Sequence, residues 1–397
     1  MLAVWLSPIY LLVNAYLLIR IFQWLGACHG ALHDRKFQIT FGLIYLFFAL
    51  TPLTAYLSGQ GMLHRILKIL NNDWMGILLY MIMIIASADI LRFFLKKTSL
   101  RKVSWFRSGR FFVVNGGICM ALILSLVTFG ILHPKVIKTN DYQVKIAKSC
   151  GEIKEMKIVL IADLHVGYSV DLRHVKQMVR KINRQHPDLV VFAGDFYDNS
   201  YEAIQNPQKT AMYLNQIESR YGVYGCLGNH DLEEDILAGF TFSKEGELEE
   251  NEKMISYIEK DCGIHLLKEE AVLIQNDFYL IGREDPARAR KLGEERKSPK
   301  ELLAKCDPKK PIFVLDHQPK EYDLLNKAGA DLDLSGHTHD GQMFPINLLM
   351  KFIWENPSGY QKIGNMHTVV TSGVGIWGPA MRVGTDSEIA VITVKFE

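Results

Sequence analysis

The chain has 397 residues, 22% charged and 49% hydrophobic, with a formal net charge of +2. That length exceeds one typical domain, and the near-neutral balance without a long like-charge block excludes a basic nucleic-acid-binding arm. The six cysteines (Cys28, Cys119, Cys150, Cys226, Cys262 and Cys306) show no CxxC or Cys/His spacing, which excludes a structural zinc finger.

The hydrophobic residues are concentrated in the first third. Segments 1–20, 37–57, 74–95 and 111–132 are long and apolar, and residues 1–19, 37–57 and 111–132 hold no ionised side chain. A hydrocarbon core of roughly 30 Å needs about 20 apolar residues in a helix, so residues 1–135 are expected to form a transmembrane region of four helices. The first stretch lacks a basic start and a small-residue cleavage site, so it reads as a span and not as a cleaved leader. Asp89 interrupts the third stretch; it reads as an interfacial carboxylate beside Arg92, with an intramembrane functional acid as the alternative. The connection after it holds Arg92, Lys96, Lys97, Arg101, Lys102, Arg107 and Arg110, the first holds Arg20, Arg35 and Lys36, and the second only Arg65 and Lys68. Lys and Arg mark cytoplasmic loops, so the segment after Leu132 is expected on the extracytoplasmic side of a multi-pass membrane protein.

From about Asp141 the pattern changes to short apolar runs alternating with amphipathic helices. Strands are expected at 142–148, 157–162, Leu189–Ala193, 223–227, Ile312–Leu315, 332–334, 367–371 and 388–395. Helices are expected at 172–182, with Leu172, Val175, Met178, Val179 and Ile182 on one face, and near Tyr322–Ala328. Alternating strands and helices imply a layered α/β domain over 141–397.

Five of the buried strands run into polar clusters. KIVLIA leads to Asp163 and His165, VVFAG to Asp195, VYGCLG to Asn229, His230 and Asp231, IFVLD to His317, and LDLSG to His337 and His339. Ligands of open α/β sheets bind at the carboxyl ends of strands. Asp163 and His165 are two apart and face the same way in extended backbone. One carboxylate such as Asp195 can bridge two cations with its two oxygens. Imidazole, carboxylate and amide oxygen without thiolate suit divalent Mn, Fe or Zn. Glycines before Asp195, Asn229 and His337 allow sharp turns. Taken singly, His317 reads as a satisfied histidine and Asp195 as a cap; the ordered set at successive strand ends is not explained by packing.

Asp-x-His, Gly-Asp, Gly-Asn-His-Asp, a lone His and Gly-His-Thr-His in this order resemble the calcineurin-like metallophosphoesterase superfamily. HQPKEYD (317–323), LSGHTHDGQ (334–342) and SGVGIWGPAMRVG (372–384) resemble its membrane-associated bacterial branch. The resemblance implies a four-layer αββα sandwich holding two divalent metal ions. The first ion would take Asp163, His165, Asp195 and His339; the second would take Asp195, Asn229, His317 and His337. His230 would face the substrate together with Asn229 and assist the leaving oxygen, with Asp231 orienting His230. The implied reaction is attack on phosphorus by a hydroxide shared between the ions. Asp340 departs from the glycine common in that branch, which adds a carboxylate without removing a ligand.

The expected substrate contains a phosphodiester, phosphomonoester or pyrophosphate bond, and the apolar third favours a lipid-linked or envelope molecule near a membrane. Two further segments bear on it. PINLLMKFIW (345–354) reads as core packing or as an acyl-chain or interfacial contact, and REDPARARK (283–291) as a solvated basic face or a headgroup contact. The acidic stretch 245–253 reads as an exposed helix start. The alternative from another class is a catalytically idle metal-binding membrane receptor or scaffold. It has no need of His230 beside a full ligand set.

Overall fold

The computed structural model describes residues 2–237 and 239–397. The chain divides into two compact units, one running through Leu132 with Ile236–Phe242 and Gly378–Met381, the other comprising His133–Asp235, Ser243–Trp377 and Arg382–Glu397.

The first unit is built from long helices, Leu2–Cys28, Met62–Leu95 and Gly109–Leu132, and the pair Arg35–Ala49 and Thr51–Leu57. Among the described residues three helices are long and apolar enough to cross a membrane, or four if the pair, bent by 51°, counts as one span. Pro52 sits in the first turn after the bend, where its missing N–H cannot continue the helical ladder. Leu17, Ile21, Tyr45, Trp74, Leu78, Met81 and Ile123 form the interior of this unit, while Leu12, Leu43, Leu91 and Leu124 face outward. Apolar surface on both sides is the pattern of helices that meet lipid. Asp89 does not pair with Arg92 along its own helix. It binds across helices, accepting from Tyr16 Oη at 2.7 Å and pairing with Arg20, and the Arg92 guanidinium lies over the Phe112 ring instead.

The second unit holds two six-stranded sheets. The first runs in the order Lys138–Ile146, Glu388–Phe396, Glu155–Ile161, Leu189–Ala193, Val223–Cys226, His265–Leu266, and the second runs Gly359–Ile363, Met366–Val370, Leu332–Ser335, Ile312–Leu315, Phe278–Gly282, Glu270–Ile274. Within each sheet the strands carrying the candidate ligands run parallel to one another, while Glu155–Ile161 is antiparallel to its other neighbour, Glu388–Phe396. Side chains of a strand alternate between faces, and the three hydrophobic clusters follow that alternation. Ile158, Leu160, Leu189 and Val191 pack against Phe278, Leu280, Phe313, Leu315 and Leu334 between the sheets. Val159, Ile161, Val190 and Phe192 face Val175, Met178, Val179 and Ile182 of the helix Leu172–Asn183. Ile281, Ile312 and Val314 face Leu302, Leu303, Tyr322 and Leu325 from the helices Pro299–Leu303 and Tyr322–Ala328. Three cores between helix, sheet, sheet and helix make a four-layer αββα sandwich.

The two further segments are inverted relative to their composition. Arg283 and Arg288, in the basic run 283–291, are fully buried and not solvated. Arg283 binds Asp316 and Glu321, and Arg288 binds Glu284 and Glu250. Their charges are consumed inside the domain, so these two arginines form no solvated basic face, while Arg290 of the same run stays exposed. The apolar run forms the helix Ile346–Ile353, none of whose residues is buried.

Candidate metal centre

The strand ends expected to meet do meet, and they come from both sheets. Glu155–Ile161, Leu189–Ala193 and Val223–Cys226 of one sheet lead to Asp163, His165, Asp195 and Asn229, while Ile312–Leu315 and Leu332–Ser335 of the other lead to His317, His337 and His339. Backbone bonds fix the turns, from Asp163 N to Gly194 O and from His165 N to Asp195 O, each at 3.0 Å. Asp163, His165, Asp195, His337 and His339 all take left-handed φ values between 45° and 69°. Such backbone is costly for residues with a Cβ and collects where side-chain direction matters more than local comfort. Gly228 is required here, because a Cβ would stand 2.2 Å from Asp195 Oδ1.

Two trios of ligand atoms result, Asp163 with His165 and His339, and Asp195 with His317 and His337, the atoms within each trio lying within 4.8 Å of one another. His165 Nε2 is 3.1 Å from His339 Nε2, and His337 Nδ1 is 3.1 Å from His317 Nε2. Asn229 Oδ1 is 3.1 Å from His317 Nε2. Asp195 Oδ2 lies 3.2 Å from His317 Nε2 and 3.6 Å from His165 Nε2, so one oxygen reaches a ring of each trio. The other, Oδ1, accepts the backbone N–H of His230 at 2.8 Å.

This donor set fits divalent cations. Burial depresses the basicity of His165 to about 3 and lowers His337 and His339 as well, so these rings stay neutral and keep a lone pair to offer. Burial also pushes Asp163 up to about 7, against the pull of His317. Burial opposes ionisation of Asp195 and His317 too, but their mutual attraction wins, holding the carboxyl low and the imidazole high. His317 Nδ1 faces Ala193 O at 2.8 Å, which fixes the tautomer and directs Nε2 into the site. The neutral rings of His165, His337 and His339 and the carboxylate of Asp195 converge lone pairs that a divalent ion satisfies, and His317 would give up its Nε2 proton to join them.

Asp231 corrects an expectation. Its carboxylate does not orient the His230 ring; it accepts the backbone N–H groups of Asp195, Phe196, Tyr197 and Gly228 at 2.8–3.2 Å. It thereby holds the turn that presents Asp195 against the turn that presents Asn229. Among the described residues the partner of His230 Nδ1 is buried Asn199, four positions after Asp195. Asn199 was missed because GDFYDN carries no periodic signal for it. Arg382 was missed as well, although it lies in the SGVGIWGPAMRVG run. It is fully buried, donates to the carbonyls of Ser372 and Gly375 at 2.7 and 2.9 Å, and lies 3.2 Å from His339 Nδ1. Aromatic walls flank the site, with Trp377 5.6 Å from the His230 ring and Trp354 5.2 Å from the His337 ring.

Comparison with known proteins agrees with this geometry. Residues 156–341 match the family model described as calcineurin-like phosphoesterase. A Helicobacter pylori metallophosphoesterase is 31% identical over 265 residues, covering 66% of this chain and 64% of its own. The match therefore spans less than two thirds of that relative. A Danio rerio transmembrane protein with metallophosphoesterase domain is 29% identical over 70% of this chain and 62% of its own. The UDP-2,3-diacylglucosamine pyrophosphatase of Chlamydia muridarum is 24% identical over 57% of this chain and 76% of its own. Residues 156–341 are a calcineurin-like phosphoesterase domain.

Proposed function

We propose that the chain is a membrane-anchored phosphoesterase using two divalent ions to hydrolyse a phosphodiester, phosphomonoester or pyrophosphate bond, in a lipid-linked or envelope substrate. Residues 1–135 are its multi-pass anchor and 141–397 its catalytic domain, on the extracytoplasmic side. The observation that carries the reading is the carboxylate of Asp195, one oxygen of which reaches rings of both ligand trios. Asp163, His165, Asp195 and His339 would hold one ion, and Asp195, Asn229, His317 and His337 the other. When bound, such ions lower the pKa of coordinated water toward about 7 and offset charge on phosphoryl oxygens.

The chain's own groups do the rest. Asn199 holds the His230 ring at Nδ1, so the opposite nitrogen, Nε2, is the atom available to a leaving oxygen. Asn229 and His230 line the substrate side, and Asp231 keeps both turns in register through their backbone N–H groups. The diacylglucosamine pyrophosphatase among the relatives supports a lipid-linked substrate.

The test is hydrolysis of a bis-aryl and a mono-aryl phosphate by the full chain loaded with Mn. Asp195→Ala should lose metal and turnover together. His230→Ala should keep the metal while slowing turnover about 10²–10⁴-fold. Wild-type rates in Asp195→Ala would overturn the reading. A reporter fused at the C-terminus tests the sidedness.

A further inference from the structure

We infer that the helix Ile346–Ile353 is an interfacial element that lays its apolar face into a lipid surface bearing anionic headgroups. The inference rests on the chain being membrane-bound and not on the metal chemistry. The helix directly follows the segment that supplies His337 and His339, yet it contributes no buried residue to the domain. Phe352 is 87% exposed, and Leu348, Leu349 and Ile353 are each more than half exposed. Positions 348, 349, 352 and 353 share one side of a helix, and Phe344 extends the exposed apolar patch just before it. A soluble surface seldom leaves so many large side chains together.

Charge favours a lipid occupant. The helix carries no acidic residue; its one charged side chain is Lys351, which is exposed. Lys320 lies 4.9 Å above the ring of Trp354, the residue that ends the helix. A single acid, Glu355, follows. Large apolar side chains interleaved with lysine, beside a tryptophan, are the composition of a helix lying in the plane of a membrane interface. Trp354 also ties the helix to the chemistry, since its ring packs against His337. A phosphate at the headgroup level is thereby brought toward the candidate ligands while its acyl chains stay in lipid.

The test uses the full chain in vesicles of phosphatidylglycerol and phosphatidylethanolamine, with p-benzoylphenylalanine in place of Phe352 or, as the control, of exposed Lys300. Illumination should give a lipid adduct at position 352 and none at 300, with the yield falling when the anionic lipid is replaced by phosphatidylcholine. Crosslinks at 352 to a second copy or to another polypeptide, or no lipid adduct at all, would overturn the inference. The paired variant Leu348→Glu, Phe352→Glu adds a rate. It should hydrolyse a soluble aryl phosphodiester like the wild type and a vesicle-embedded one at least about tenfold more slowly. Equal losses on both substrates would also overturn it. A wild-type chain inactive on both would sink the phosphoesterase reading and leave the photochemical result to decide this one.

Discussion

Residues 283–291 and the helix Ile346–Ile353 exchange the places their compositions suggest. The first is rich in arginine and sends two guanidinium groups into the interior, whereas the second is rich in leucine and phenylalanine and leaves them outside. Two physical rules separate them. An arginine is buried where enough fixed acceptors surround it, and Glu284, Glu250 and the Asp231 carbonyl surround Arg288. An apolar side chain remains exposed where no layer of the fold comes down on it, and the four-layer domain closes its three cores without this helix. Composition records what a segment can offer; the partners come from strands and loops far away in sequence.

The sharpest break of this contrast is Arg288→Ala. It strands buried Glu284, leaves Glu250 with Lys268 alone and removes the donor to the Asp231 carbonyl, so it should destabilise the domain by about 3–5 kcal/mol in thermal or denaturant unfolding. The exposed neighbour Arg290→Ala should change stability by no more than about 0.5 kcal/mol. Similar values for the two would show that the buried network is not an energetic unit. Next in size is Asp231→Asn. An amide offers one acceptor oxygen where the carboxylate serves four backbone N–H groups, leaving at least one of them orphaned, at about 1–3 kcal/mol. Because those groups belong to the turns that present Asp195 and Asn229, metal affinity measured by calorimetry should fall as well. A role confined to orienting His230 would slow turnover and leave affinity unchanged.

How much of the domain was legible follows the same division. The strand Leu189–Ala193 and the helix Tyr322–Ala328 coincide with their expected ranges, and the strand ends carrying Asp163, His165, Asp195, Asn229, His317, His337 and His339 do converge. These were readable because burial on both faces leaves an unbroken apolar run, and the polar break at its end marks the rim. Two sheets were expected from the family resemblance, but which end belongs to which sheet was not readable, since the parallel runs of either sheet look alike in sequence. The partners were the least legible part. Asn199 and Arg382 act through contacts 31 and 43 residues away, and Asp231 works through backbone donors that leave no mark on the sequence. Asp89 likewise finds Arg20 at a distance of 69 residues in preference to the nearby Arg92.

Two smaller effects refine the contrast. Burial raises the pKa of Glu250, but hydrogen bonds and charge from Arg288 and Lys268 outweigh it and hold the carboxyl below its ordinary value. A carboxylate depressed on folding contributes stability that is present above its unfolded value of about 4.3 and is lost as pH falls through the folded one. Glu250→Gln should therefore lower stability near neutrality and flatten its further loss below about pH 4, where the wild-type carboxyl is protonated as well. The smallest effect belongs to the apolar helix. Phe352→Ser deletes the most exposed large side chain of the segment, one that contributes nothing to any of the three cores. In detergent its unfolding should match the wild type within about 0.5 kcal/mol and show no new pH dependence. A loss of about 2 kcal/mol or more would place Phe352 in a packed environment, and the helix would then belong to the fold's interior and not to its surface.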